Sequence, residues 1–252
     1  MTTAFLLVAA FSAGLLDSIA GGGGLIQLPS LLAAFPQKET VELLGTNKVA
    51  ANLGTTAAAI NYQRSVRSGA KLLLALAIPA FIGSVLGALL ATSIPTAAFK
   101  PIILVILIGV VIYTWRRPTL GAIESFKHHP RLRTQIGALC ALVIGFYDGL
   151  IGPGTGSFLL LAFVAILGYA FLQASAMAKV VNIFTNLGAI VVFGFHGVIM
   201  WGLGLMMGAA NIAGGLIGSR LALKGGSTLV RKVFLVVTSL LIIKIAFDIL
   251  NA

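Results

Sequence analysis

Two acids and two lysines stand inside stretches that otherwise hold almost nothing but apolar residues. Asp17 opens "DSIAGGGGLIQLP" and Asp148 opens "DGLIGPGTGSFLL", while Lys48 lies in "GTNKVAANLG" and Lys179 in "AMAKVVNIFTNLG". A helix that stops at Gly21, Gly22, Gly23 and Gly24, or at Gly152, Gly154, Thr155 and Gly156, frees backbone N–H groups, and the next helix adds its positive dipole end. Such a break favours an anion where it lines a cavity. Asn47 adjoins Lys48 and Asn52 follows it by four positions; Asn182 and Asn186 follow Lys179 by three and seven. Those spacings keep Asn52, Asn182 and Asn186 on the face of their lysine. A cationic, amide-lined helix beside an N–H-rich loop suits an oxyanion.

Each residue type also has a plainer use. A buried carboxylate within an apolar helix costs roughly 2.5–3.5 kcal/mol on insertion scales. Asp17 and Asp148 either hydrogen-bond the glycine loops as caps or titrate as coupling groups for protons, and the two roles are compatible. A lysine five residues into a helix can snorkel to the interface. Gly83, Gly87, Gly214 and Gly218 read as small-xxx-small helix contacts, but four glycines in a row do not. "GPGTG" has no preceding strand and no following GK[ST], so a nucleotide loop is disfavoured. His128, His129 and His196 offer no helical His pair for zinc, and the single Cys140 offers no disulfide; no metal or cofactor is expected. A paired-acid enzyme using Asp17 and Asp148 would need two carboxyls sharing a proton. It leaves the lysines without a role, so no catalytic residue is expected.

The surrounding chain sets the solvent. Of 252 residues, 59% are hydrophobic and 9% charged, with a mean hydropathy of +1.07. A soluble domain carries about 25% charged residues, so this chain cannot cover a water-facing surface. It reads as an all-α polytopic membrane protein embedded in lipid. "MTTAFLLVAAF" lacks a basic leader, so the first segment is expected to be retained. The net charge of +11 comes from short loops rather than a nucleic-acid surface.

Shifting the sequence by 131 positions superposes Gly14, Asp17, Gly21, Gly23, Lys48, Gly83 and Gly87 on Gly145, Asp148, Gly152, Gly154, Lys179, Gly214 and Gly218. The chain is an internal duplication: repeats 1–115 and 134–252 joined by a basic linker, 116–133. Apolar elements fall at 3–18, 25–35, 43–61, 71–92 and 98–115, and again at 134–150, 156–171, 174–195, 198–219 and 229–250. The first two of each set are short and flank the break, so each repeat reads as a glycine-broken, re-entrant-like hairpin plus three transmembrane helices. With the linker placed in the cytoplasm, twelve basic residues lie inside and two outside, and both termini fall outside. Equivalent loops then prefer opposite sides, as inverted repeats require. Alternating access of one shared site follows from that arrangement. A channel is the competing use of the same symmetry.

The two Gly-x-x-Asp-x-x-x-Gly-x-Gly motifs, "TNK…N" at Thr46–Asn52 and "AKVVNIFTNLGA" at Ala178–Ala189 resemble the sulfite exporter TauE/SafE family of membrane permeases, most of all its YfcA-like members. The likeness runs over nearly the whole chain. It implies a multi-pass permease of the bacterial inner membrane that moves sulfur oxyanions or organosulfonates such as sulfite, outward, as a secondary transporter. One departure stands out: the first loop is "GGGG" where the second is "GPGTG".

Overall fold

The computed structural model describes residues 2–92, 121, 123–126 and 129–250. The predicted element 98–115 and residues 116–120, 122, 127 and 128 of the linker lie outside them. Among the described residues the protein is all helix. The first repeat supplies α1 (Thr2–Ala20), α2 (Gly24–Ala34), α3 (Thr40–Ser65) and α4 (Ala70–Ala91). The second supplies α5 (Pro130–Leu150), α6 (Thr155–Leu161), α7 (Phe171–Phe195) and α8 (Trp201–Leu250). A π-helical turn, Ala162–Ile166, extends α6, and Gly226 (φ 61°, ψ −163°) divides α8 into two arms.

α1, α4, α7 and Trp201–Val237 of α8 are long and apolar enough to cross a membrane. α3 is longer than α1 but carries Glu42, Lys48 and Arg64, and its polar middle is turned into the bundle. α2, at 11 residues, reaches only about 16 Å, roughly half of a bilayer core. The hairpins therefore have unequal arms. α5 begins four residues before its predicted start because Pro130 occupies the first helical position, where its missing N–H is not needed. α6 with its π turn stops at Ile166, short of the predicted 171, because Gly168 turns the chain at φ 82°. Against that turn lies the described part of the linker. Ser125 N–H donates to Gly168 O at 2.7 Å, Phe171 N–H donates to Gly121 O at 2.8 Å, and the Arg133 guanidinium sits 3.8 Å over the Phe126 ring.

The repeats do not fold as separate bodies. α4 of the first lies along α5 of the second, and α8 of the second lies along α1 of the first. Glycines make both contacts possible. A methyl group at Gly83 or Gly87 would lie 2.1 or 2.0 Å from the carbonyl oxygens of Leu142 and Phe146. At Gly214 or Gly218 it would lie 2.0 or 2.3 Å from those of Phe11 and Leu15, the counterparts of Leu142 and Phe146 under the 131-residue shift. Backbones this close gain dispersion contacts that lipid cannot offer. α3 and α7, also counterparts, run antiparallel through the centre. Gly45 of α3 meets Phe193 near the end of α7, while Ser68, just past α3, accepts a hydrogen bond from Gln173 at the start of α7. One apolar core, with Tyr62, Phe163 and Phe171, packs at one end of this pair, and a second, with Leu43, Leu44 and Phe193, packs at the other. Exposed side chains such as Val8, Ile78, Leu86, Leu139 and Leu205 face outward, as lipid contact requires.

Candidate functional site

Between the two cores the glycine breaks meet. α1 ends as Gly21 takes a left-handed conformation (φ 83°), and α5 ends in the same way at Gly152 (φ 90°). Only glycine adopts this conformation without cost. The loop tips touch: Ser157 N–H donates to Gly21 O at 3.1 Å, and a methyl on Gly24 would lie 3.3 Å from Pro153 Cα.

The charged residues pair across the repeats. Lys179 of α7 reaches Asp17 of α1, with Nζ 2.9 Å from Oδ2 and a second bond to the Asp17 carbonyl. Lys48 of α3 reaches Asp148 of α5, with Nζ 2.6 Å from Oδ2. Under the 131-residue shift these are the same contact made twice. Lys48, Lys179 and Asp148 are at most 3% exposed as side chains, and Asp17 is 14% exposed. Removing one member of such a pair strands a charge, at a cost of about 3–5 kcal/mol. Because each acid has an ammonium partner, the two carboxyls do not form the shared-proton dyad that an aspartyl enzyme requires.

A small cavity sits beside these pairs. It is lined by Asp17, Gly21, Gly24, Asn47, Lys48, Ala51, Asp148, Gly152, Gly154, Thr155, Gly156, Asn182 and Asn186. Its water-accessible volume is ≈ 20 Å³, enough for about one water. Twelve of the predicted residues thus share one cavity. Four lie off it. The Gly22 Cα faces Val237 of α8. Gly23 packs on the Asp17 side chain and donates its N–H to Asp17 Oδ1 at 3.4 Å. Lys179 points to Asp17 rather than into the space. Asn52 falls on the wrong flank of Lys48: at 100° per residue the lining arc runs from Asn47 through Ala51 to Lys48 and leaves Asn52 beyond it.

The expectation of freed backbone donors needs correction at Gly21, Gly23, Gly152 and Thr155. The N–H groups of Gly21 and Gly152 bond back to the Asp17 and Tyr147 carbonyls, Gly23 bonds to the Asp17 carboxylate, and Thr155 N–H bonds to Gly152 O. Tight turns satisfy their own donors, so these N–H groups are spent. What faces the cavity instead is Lys48, the first residue of α2, and buried amides. Asn47 Oδ1 and Asn186 Nδ2 are buried without a hydrogen-bond partner among the described residues. Behind Asn47 stands a relay absent from the sequence reading. Gln27 Nε2 donates to Asn47 O at 3.3 Å, and Asn211 Nδ2 donates to Gln27 Oε1 at 2.6 Å. Asn211 itself fits only because Gly14 and Gly54 leave it room. Neither amide has a polar counterpart in the other repeat, so the duplication does not reveal them.

Apolar spanning helices that close around two broken hairpins and a buried polar cavity define a multi-pass membrane transporter. The family model described as "Sulfite exporter TauE/SafE" matches residues 6–245. The chain belongs to the TauE/SafE family of membrane permeases. It is 40% identical over 247 residues to "Probable membrane transporter protein ORF9" of Sinorhizobium sp, covering 97% of this chain and 92% of the relative. It is 35% identical to a "Probable membrane transporter protein" of Haemophilus influenzae, covering 97% and 94% of the two chains. It is likewise 35% identical to "Probable membrane transporter protein YfcA" of Escherichia coli K12, covering 96% and 89%. No solved structure gives a significant match.

Proposed function

We propose that the protein is a secondary transporter of small anions, sulfur oxyanions or organosulfonates such as sulfite, working by alternating access to the central cavity and exporting its substrate. The observation that carries this reading is the cavity itself: an ammonium, a helix N-terminus and three amides converge where two broken helices meet. Hydrogen bonds from charged donors are the stronger kind and suit an oxyanion. The family description, "Sulfite exporter TauE/SafE", supports the substrate class. The antiparallel run of the counterpart helices α3 and α7 supports inverted repeats. The bacterial inner membrane as location, with the loop holding Arg64 and Arg67 in the cytoplasm and both termini outside, is part of the same proposal.

The proton is the proposed coupling ion. An oxyanion beside Lys48 brings a second negative charge next to Asp148. The other charges nearest this site are Asp17 on α1, which lines the cavity, and its partner Lys179 on α7, which does not. α6 carries none, α4 carries only Lys71 in its first turn, and the arginines of α5 lie in its first turn, at the far end from Asp148.

The test is a thermal-shift screen of the purified protein against sulfite, sulfate, thiosulfate, sulfoacetate, taurine and chloride, followed by flux into proteoliposomes. A ligand that binds only the folded form must stabilise it. Stabilisation by one sulfur anion with saturable, pH-gradient-driven flux is expected. Non-saturable flux indifferent to pH would make the protein a channel, and no anion effect would remove the substrate class.

A further inference from the structure

The sequence makes Lys48 and Lys179 equivalent, but the structure does not. Lys179 makes two bonds to Asp17, and Asp17 also accepts from Thr55 Oγ1 at 3.3 Å and from Gly23 N–H. Around this pair the carbonyls at the end of α1 are taken in turn. Ser18 O accepts from Tyr62 Oη at 2.9 Å, Ile19 O from Ser175 Oγ at 3.3 Å, and Ala20 O from Ser157 Oγ at 2.8 Å. The last carbonyls of a helix need partners, and α1 has found them in side chains of α3, α6 and α7.

The counterparts of Tyr62, Ser175 and Ser157 are Phe193, Leu44 and Ile26. None of these side chains can donate a hydrogen bond. The end of α5, at Leu150 and Ile151, packs in the same apolar core as Leu44 and Phe193. Lys48 meets Asp148 Oδ2 alone, and that oxygen accepts no well-aligned hydrogen bond. Lys48 also lines the cavity, against Gly152, whereas Lys179 does not.

Building on the proposed anion transport, we infer that Lys48 is the lysine that receives the anion, exchanging Asp148 for it, and that Lys179 is a positioning residue that locks the α1 break. Apolar packing around the end of α5 lets the Lys48–Asp148 pair separate without stranding backbone groups. The hydrogen-bonded frame around α1 holds Asp17 and Lys179 together throughout. Asn182 and Asn186 then share the anion with Lys48, and Asn47 fixes the flank of the cavity nearest Gln27.

The experiment measures sulfite affinity and melting temperature for the full-length protein in detergent. The wild type is compared with Lys48→Met/Asp148→Asn and Lys179→Met/Asp17→Asn, each of which removes a pair without leaving a lone charge. The first variant is expected to fold and to bind sulfite about 10–100-fold more weakly, the loss of one charge-assisted contact. The second is expected to melt lower yet, where folded, to bind within about threefold of wild type, a difference near 0.7 kcal/mol. Should it fail to fold, Lys179→Arg keeps the charge and is expected to leave affinity unchanged, whereas Lys48→Arg shifts it. Equal losses at both lysines, or a loss at Lys179 alone, would overturn the inference while leaving anion transport intact. A wild type that binds no anion would remove the functional reading beneath it.

Discussion

The two glycine breaks stand 131 positions apart with matching acids and glycines, and end in different chemistry. At the α1 break, carbonyls 17 to 20 all find donors, three of them side-chain hydroxyls and one the Lys179 ammonium. At the α5 break, the corresponding positions of the neighbouring helices are leucine, isoleucine and phenylalanine. One joint is pinned to neighbouring helices, whereas the side-chain bonds of the other, Tyr147 Oη to Pro153 O and Thr155 Oγ1 to Gly152 O at 2.6 Å, stay within its own loop. A symmetric scaffold can therefore hold a site in which only one half needs to change.

The sharpest way to break that comparison is at the acids. Asp17→Ala should cost about 3–5 kcal/mol, because it strands buried Lys179 and unseats Thr55 and Gly23 as well. Asp148→Ala should fall at the lower end of that range, since Lys48 can turn toward the cavity. Thermal melts of the two variants side by side decide this, and a larger loss at Asp148 would reverse the assignment of the pinned half.

Tyr62→Phe gives the first half the side chain that the second already has at Phe193. It should cost about 1–2 kcal/mol, the buried bond from Tyr62 Oη to Ser18 O and the longer contact with Ser175 Oγ at 3.3 Å, with sulfite affinity unmoved. A matching loss of affinity would tie the frame to the ligand. Smallest is the contrast between amides. Asn182→Ala should weaken sulfite binding about fivefold, the worth of roughly 1 kcal/mol, and Asn52→Ala, which does not line the cavity, should leave it within experimental scatter.

The membrane class and most helices were legible because hydropathy and periodicity survive without any knowledge of packing. Most of the cavity was legible too, since charged and amide residues are scarce in such a chain. How the charges pair was not. Asp17 with Lys48 and Asp148 with Lys179, each within its own repeat, fits the duplication as well as the crossed pairing does. Only the antiparallel packing of α3 and α7 selects between them. Ala51 was invisible because its contribution is its lack of bulk, where its counterpart Asn182 brings an amide. Gln27 and Asn211 carry no repeat signal and meet 184 residues apart.

Crossed pairing also has a meaning for how the chain is made. The ribosome delivers Asp17 to the bilayer 162 residues before Lys179 exists. Through most of synthesis the first half carries a carboxylate with no counter-ion, a lysine with no acid, and a glycine-lined α4 with no helix to lie against. The early half must wait in the lipid, unfinished, for the late half to arrive.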